Sequence, residues 1–511
     1  VQVKAFRVNG NTLLPQATLD AALAPYKGER TLDELKKAAQ AVQEAYRDAG
    51  YAAVLAYLPA QSSADGVATI TVVEGKLGRM IVNGNKRISE DNIRRALPHM
   101  QLGMTPRVRE LDAQIALANE NPSRQLAVTL EAGAKAGEVD ARVQVAEENP
   151  VRWSVGIDNT GNASTGRMRA NIGFQHSSLW DLDHQLSAQF QTAPEHIDRV
   201  LVLSANYRMP FYAQGLTLDI FGAYSDVDGG TTSIVAGDLK FAGSGRVLGA
   251  RVGKPLLRWG EVDHRVSLGL ESRDYINDCT IVGLPPGACG AAGASVSVQP
   301  LTLDYSLQSG GEMPIGASAS LSHNLGFGGS HGDAADFAAV RADARKRYTV
   351  LRFNAQTAMR LPRDWQVQLR AAAQLTDDLL VPGEQFGIAG AQTLRGYEER
   401  EITGDRGFAG TLEVLTPELW SDDSLGVLRL LGFVDGGKVW NKVVDANRAT
   451  YCRGLPPGGQ TSCGLLSTGL GLRLTGPALQ VRLDWGHALR DGRTTKKGDN
   501  SAHLSATYTF R

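Results

Sequence analysis

The stretch "GLTLDIFGAYS", residues 215–225, alternates without a break. Leu216, Leu218, Ile220, Gly222 and Tyr224 share one face of an extended chain. Thr217, Asp219, Phe221, Ala223 and Ser225 share the other, because successive side chains of a strand point to opposite sides. The same period returns in 478–486, where Leu479, Val481, Leu483 and Trp485 oppose Gln480, Arg482 and Asp484. It returns again near the end of the chain, where Leu504, Ala506, Tyr508 and Phe510 oppose His503, Ser505, Thr507 and Thr509. A soluble sandwich of two sheets also alternates, so the period alone does not separate it from a barrel in lipid.

Working outward from that stretch, residues 151–511 read as sixteen strands, beginning near 151, 167, 183, 198, 215, 238, 261, 295, 313, 345, 365, 407, 426, 465, 477 and 502. Three features favour a membrane barrel. The strands are longer than the usual five or six residues. Aromatic residues sit near the ends of several apolar faces, as interface girdles require. Connections alternate between short ("PFYAQG", "SGGEM", "LPRDW", "TGPA") and long (278–294, 379–406, 437–464), with an even strand count. In lipid every backbone amide needs an internal partner, so such a sheet must close. Sixteen strands enclose a lumen wide enough for water, lined by the polar faces.

Residues 1–148 have a different texture. "VNGN" occurs at 8–11 and again at 82–85, and each copy leads into a helical stretch ending in "AL" (Ala22-Leu23, Ala96-Leu97), an offset of 74 residues both times. This half is a tandem repeat. In the first copy, Thr31 and Glu34 form a capping box ahead of a helix whose Leu32, Leu35, Ala39, Val42 and Tyr46 share a face, with Gly50 as its stop. Two strands, "AAVLAYL" and "VATITVVEG", complete a β-α-α-β-β order. The second copy runs "RMIVNG", a helix near 89–98, a helix carrying Val108, Leu111, Ile115 and Ala118, then "RQLAVTLEAG" and "EVDARVQVAE". The charged "KRISEDNIRR" (86–95) reads as a solvated helix face or a contact with substrate or barrel rim, and "NPSR" (121–124) as a helix end.

Composition removes several classes. A formal net charge of -1 argues against nucleic acid as the main partner. No run of about 18 apolar residues offers a membrane helix. No phosphate loop, G-x-S-x-G elbow or H-E-x-x-H helix occurs, and the scattered histidines (His184, His264, His487, His503) read as lumen or turn residues. No catalytic residue, metal site or cofactor is expected. The opening "VQVKAFRVNGN" lacks a basic start followed by an apolar core, which fits a cytosolic chain or a processed one. Four cysteines form two close pairs, Cys279 with Cys289 and Cys452 with Cys463, each flanked by Gly and Pro in a long loop. The spacing suits two small loop disulfides in an oxidising compartment better than metal ligation, with free thiols as the alternative.

The long loop 379–406, between the eleventh and twelfth strands, contains "LRGYEER". Most loop arginines are solvated. This one has a partner if the loop folds inward. In "LLGFVDGGKVW" (430–440), Asp435 is in phase with Arg429 and Phe433 and opposite Leu428 and Leu430, so it faces the lumen. A carboxylate holds a guanidinium bidentately, which fixes orientation better than Lys could, and Gly396 permits a tight turn beside it.

These pieces together resemble the TpsB transporters of two-partner secretion, a branch of the BamA-like superfamily. The resemblance spans the chain. It implies two periplasmic POTRA domains (1–76 and 77–148) ahead of a sixteen-stranded antiparallel transmembrane β-barrel (149–511) whose sixth surface loop tucks inward. "YRDAGY" (46–51) and "VVEG" (72–75) look like usual POTRA segments. The family's loop tip is matched by Arg395, Gly396 and Tyr397, and its "F-x-D-x-G" strand motif by Phe433, Asp435 and Gly437. Many members carry a plug helix and linker ahead of the first POTRA domain, where this sequence opens on the POTRA strand. Members usually end on an aromatic residue, where here Arg511 follows Phe510. The resemblance implies a monomeric translocator in the bacterial outer membrane. It would recognise the N-terminal secretion domain of a TpsA exoprotein and export that protein unfolded through the lumen. The alternative is a BamA/TamA-like factor for outer-membrane protein assembly, against which two POTRA units and the TpsB-like tip both speak. A passive porin would not need tandem periplasmic domains.

Overall fold

The two VNGN segments are one turn built twice. Gly10 and Gly84 have φ of 86° and 89°, and a Cβ on either would lie 2.2 or 2.3 Å from the carbonyl oxygen of Val72 or Val145 on the neighbouring strand. The following asparagine closes the turn: Asn11 Nδ2 donates to the Leu14 carbonyl at 2.9 Å, and Asn85 Nδ2 to that of Ile88 at 3.1 Å. A glutamate at the end of each unit's last strand then collects the free amides. Glu74 accepts from the Thr12 and Leu13 amides at 2.7 and 3.0 Å, and Glu147 from those of Lys86, Arg87 and Ile88 at 3.0, 2.9 and 3.1 Å. Tyr46 adds its hydroxyl to Glu74 at 2.8 Å.

The computed structural model describes residues 1–61, 65–161, 165–197, 200–226, 230–234, 237–241, 244–276, 294–444, 452–453 and 461–510. The chain divides into two units, Val1–Glu148 with the turns Trp180–Asp183 and Pro210–Leu216, and the remainder.

In the first unit each repeat is a three-stranded sheet with two helices. The last strand lies centrally, parallel to the first and antiparallel to the second: Val67–Glu74 between Ala5–Asn9 and Val54–Tyr57, then Glu138–Glu147 between Lys76–Asn83 and Arg124–Ala132. The helix Leu32–Asp48 starts at the Thr31–Glu34 capping box and packs Leu35, Ala38, Ala39, Val42 and Tyr46 inward. It stops at paired hydrogen bonds from Gly50 to Arg47 and from Tyr51 to Tyr46, both 2.9 Å. Leu32, expected on the packed face, is 60% exposed, because it stands at the helix's first residue, a turn ahead of the packed stripe.

The second repeat encloses a polar cluster around Arg124, in the segment that reads from sequence as a plain helix end. Arg124 is fully buried and reaches Asp183 at 2.6 Å, the Tyr212 hydroxyl at 2.9 Å and the Asn92 side chain. Asn92 and Asn121 donate to Asp183 at 3.1 and 3.3 Å, and Tyr212 at 2.7 Å. Ser89 caps the helix Glu90–Ala96 and also bonds Asp181. Ser89, Asn92 and Arg95 of the charged run bond Asp181 or Asp183 in the Trp180–Asp183 turn, while Lys86, Arg87, Glu90, Asp91 and Arg94 are exposed, as a solvated face requires.

In the second unit sixteen antiparallel strands close on themselves: Val151–Asp158, Arg169–Leu179, His184–Thr192, Leu201–Phe211, Leu216–Asp226, Ser244–Pro255, Val262–Ile276, Pro300–Ser309, Ile315–Asn324, Thr349–Arg360, Gln366–Leu375, Arg406–Leu415, Gly426–Trp440, Ser462–Thr475, Leu479–Ala488 and Asn500–Phe510. The last pairs with the first from Ser505↔Asp158 to Phe510↔Trp153. Short pieces Val296–Val298 and Trp420–Asp422 extend the eighth and twelfth strands. Burial is inverted relative to a soluble protein. In the fifth strand Thr217, Asp219 and Ser225 are buried while Ile220 and Tyr224 are exposed, so the apolar face is the one offered to lipid. The sixth strand starts at Ser244 rather than near 238. Gly230–Ile234 and Gly237–Phe241 pair with each other in a separate hairpin, and alternation cannot distinguish such a hairpin from the wall.

Candidate functional site

The loop 379–406 leaves the eleventh strand and folds back onto the inward faces of strands twelve to sixteen. Its arm is a short hairpin, Phe386–Ile388 paired with Ile402–Gly404, and its tip is 390–399. The parity that pointed Asp435 inward holds: Asp435 is fully buried and Phe433 nearly so, while Val434 between them is exposed.

Arg395 is held by five hydrogen bonds and one ring contact. Its Nε and Nη2 donate to the two oxygens of Asp435, each at 2.8 Å, and its backbone amide donates to Asp435 Oδ2 at 3.0 Å. Its Nη1 reaches Glu413 on the twelfth strand at 2.5 Å and Asp484 on the fifteenth at 3.3 Å. Its guanidinium carbon lies 3.5 Å from the centre of the Phe433 ring, within cation–π range. Arg370 and Arg473 approach Glu413 at 3.1 and 3.4 Å, and Arg473 also binds Asp484 at 2.9 Å. Three guanidinium groups thus share three carboxylates, and their formal charges cancel. That balance matters because a buried ion lacking a counter-charge is expensive.

The neighbouring tip residues are placed as specifically. Gly396, at φ 95°, donates its amide to His503 Nε2 at 3.2 Å and lies against the backbone of the fifteenth strand. A Cβ on Gly486 of that strand would stand 2.5 Å from the Gly396 nitrogen, so two glycines permit this approach. The Tyr397 ring is buried and its hydroxyl lies between the carbonyls of Leu466 and Arg490, at 2.8 and 2.9 Å. Gly437 leaves space for Ile388 of the arm, whose terminal carbon would be 3.1 Å from a Cβ there.

Cys452 and Cys463 form a disulfide, with Cα atoms 5.4 Å apart, in the same apolar cluster as Ile388, Leu394, Tyr397, Ile402 and Val439. The Cys279–Cys289 pair lies outside the described residues. Glu413, Asp484, Arg370, Arg473, His503 and Gly486 were not singled out from the sequence as site residues. The signal available was inward parity, which placed Asp484 and His503 on polar faces without separating them from the other lumen-lining residues of their strands.

The sequence profile described as haemolysin secretion/activation protein ShlB/FhaC/HecB matches residues 137–474, and that of the ShlB-type POTRA domain matches 1–75. The outer membrane transporter CdiB of Escherichia coli is 23% identical over 482 residues, covering 91% of this chain and 77% of that protein. The heme/hemopexin transporter protein HuxB of Haemophilus influenzae is 27% identical over 153 residues, covering 30% of this chain and 27% of that protein. Among solved structures, CdiB from Escherichia coli matches with a TM-score of 0.76 at 19% identity, over 100% of this chain and 90% of that chain. CdiB from Acinetobacter baumannii gives 0.71 at 17% identity, over 100% and 90%. At these identities the structural likeness is one of fold.

Proposed function

The chain belongs to the haemolysin secretion/activation (ShlB/FhaC/HecB) family of TpsB outer-membrane transporters, and from that premise we propose that it exports one unfolded TpsA-type exoprotein through its barrel lumen. It is an outer-membrane protein with periplasmic POTRA domains. In this reading the POTRA units capture the N-terminal secretion domain of the exoprotein. Edge strands suit that task, since an extended segment can add to an open edge. Val54–Tyr57 is such an edge, with Leu55 54% exposed and Tyr57 43% exposed. The chain then passes the lumen, and folding outside supplies the driving force.

The observation that carries the proposal is the ionic seat of Arg395 on three lumen-facing carboxylates. Tip ions are a closure that a hydrated, passing chain can replace, while Leu394 and Tyr397 add an apolar hold that release must also break. Arg395→Ala and Asp435→Ala are each expected to insert in the membrane normally and to abolish export of the cognate exoprotein. Wild-type secretion by either variant refutes the assignment of this pair to transport.

A further inference from the structure

Two parts of loop 379–406 are held by ions, and between them lies a strained neck. At the stems, Glu384 is 2% exposed and accepts from Arg273 at 2.8 Å, Tyr275 at 2.8 Å and Arg352 at 3.1 Å, all on strands seven and ten. Asp405, 1% exposed, is gripped by both Nη atoms of Arg341 from the loop 325–348 and accepts the Leu380 amide at 3.0 Å. Arg341 also bonds the Leu380 carbonyl at 2.6 Å. Leu380 and Val381 pack with Phe337, Val340 and Tyr348 in a separate apolar cluster. None of these stem contacts involves the tip.

At the neck the backbone enters the left-handed region at two residues that carry side chains. Ala389 has φ 99° and Arg400 φ 49°, and the Arg400 amide bonds the Ala389 carbonyl at 3.2 Å. A φ near 100° is costly for alanine and free for glycine. The tip beyond is closed on itself: Gly390 donates to the Leu394 carbonyl at 3.0 Å, Thr393 to that of Gly390 at 3.2 Å, and Ala391 to Glu399 at 2.7 Å. It can therefore turn as one body.

We propose that Ala389 is a loaded joint, at which the knob 390–399 turns out of its ionic seat while Glu384 and Asp405 keep both stems on the wall. In this proposal, release also breaks the 2.9 Å bond from the Ala389 amide to Thr393 Oγ1, which lets the backbone at Ala389 relax, so the strain offsets part of the ionic attraction. The proposal rests on the translocator reading for its role in export. Its test does not, because it is made on purified, detergent-solubilised full-length protein without any exoprotein.

The test uses thiol reactivity at two buried positions, Leu394→Cys in the tip and Val381→Cys in a stem, both at most 1% exposed. Adding Ala389→Gly should slow maleimide labelling of Leu394→Cys by about tenfold, the factor that 1.4 kcal/mol of relieved strain gives. Adding Arg395→Ala should speed labelling of Leu394→Cys and leave Val381→Cys unreactive. Labelling of Leu394→Cys that is unchanged or faster with Ala389→Gly overturns the loaded joint. Labelling of Val381→Cys in the Arg395→Ala background overturns the fixed stems. Normal export by Arg395→Ala would refute the translocator role of the pair and leave both labelling results standing.

Discussion

Gly486→Ala probes the tip without touching a charge. A methyl group at 486 would stand 2.5 Å from the Gly396 nitrogen, 2.7 Å from the Arg395 carbonyl carbon and 2.8 Å from the Gly396 Cα, all backbone atoms. Ordinary contact begins near 3.4 Å, so one side must retreat by about 0.9 Å (3.4 less 2.5). The strand cannot easily do so, because Gly486 is paired on both sides, with Gly469 and Ser501. If the tip yields instead, a 2.8 Å bond from Arg395 opens to about 3.7 Å, beyond hydrogen-bond length. Overpacking of this kind costs roughly 1–3 kcal/mol, which lowers the ratio of docked to released tip by about 5- to 150-fold. The control is Gly432→Ala, where a Cβ would meet nothing nearer than 4.0 Å. Both variants should show the heat-modifiable gel mobility of a folded barrel. Gly486→Ala should label faster at Leu394→Cys and export poorly, while Gly432→Ala behaves as wild type. Equal labelling rates in the two variants would refute the view that the glycine pair seats the tip.

Three further outcomes are expected. Partial burial works against the Glu74 carboxylate, yet the Thr12 hydroxyl and amide, the Tyr46 hydroxyl and the Leu13 amide hold its pKa below the ordinary value. A depressed carboxylate contributes stability above its unfolded pKa of about 4.3 and loses it as pH falls through the folded value. The protection of the Thr12 and Leu13 amides, relative to their intrinsic exchange rates, should therefore fall below about pH 4.3, and Glu74→Gln should remove that pH dependence. Arg124→Met strands Asp183 without its cation and should cost roughly 3–5 kcal/mol, read as faster exchange across the helix Glu90–Ala96; Arg124→Lys should not restore it, since one ammonium cannot match the fork that meets Asp183, Tyr212 and Asn92. Replacing Cys452 and Cys463 by Ser should cost about 2–4 kcal/mol, seen as faster exchange at Val439 and Leu465 in the cluster that seats Tyr397.

Much of the architecture could be read from residue order because lipid imposes it. A strand between lipid and water must alternate, and the sixteen wall strands do. Asp435 was legible for the same reason, since parity with Phe433 places it inward, and the loop supplied an arginine for it. The rest of the seat was not legible. Glu413, Asp484, Arg370 and Arg473 obey the same parity as any residue lining water, and only the fold brings them onto one guanidinium. Gly486 looks like one strand glycine among many until a second backbone lies against it. The neck at Ala389 has no sequence signal, because alanine there breaks the local preference that would have marked a glycine. In the first unit, "NPSR" misled for a related reason: the partners of Arg124, Asp183 and Tyr212, are far along the chain.

The glutamate that ends each N-terminal repeat has a consequence for modularity. Glu74 staples the start of its own repeat to its end, and Glu147 does the same one repeat later. Each repeat therefore carries both halves of its clasp and borrows neither from its neighbour. As far as this clasp goes, the first repeat is a cassette whose cut falls after Glu74, whereas the second also needs Asp183 and Tyr212 for its buried Arg124. A boundary moved a few residues upstream of Glu74 would leave two amides open in the first repeat and a stray carboxylate in the second.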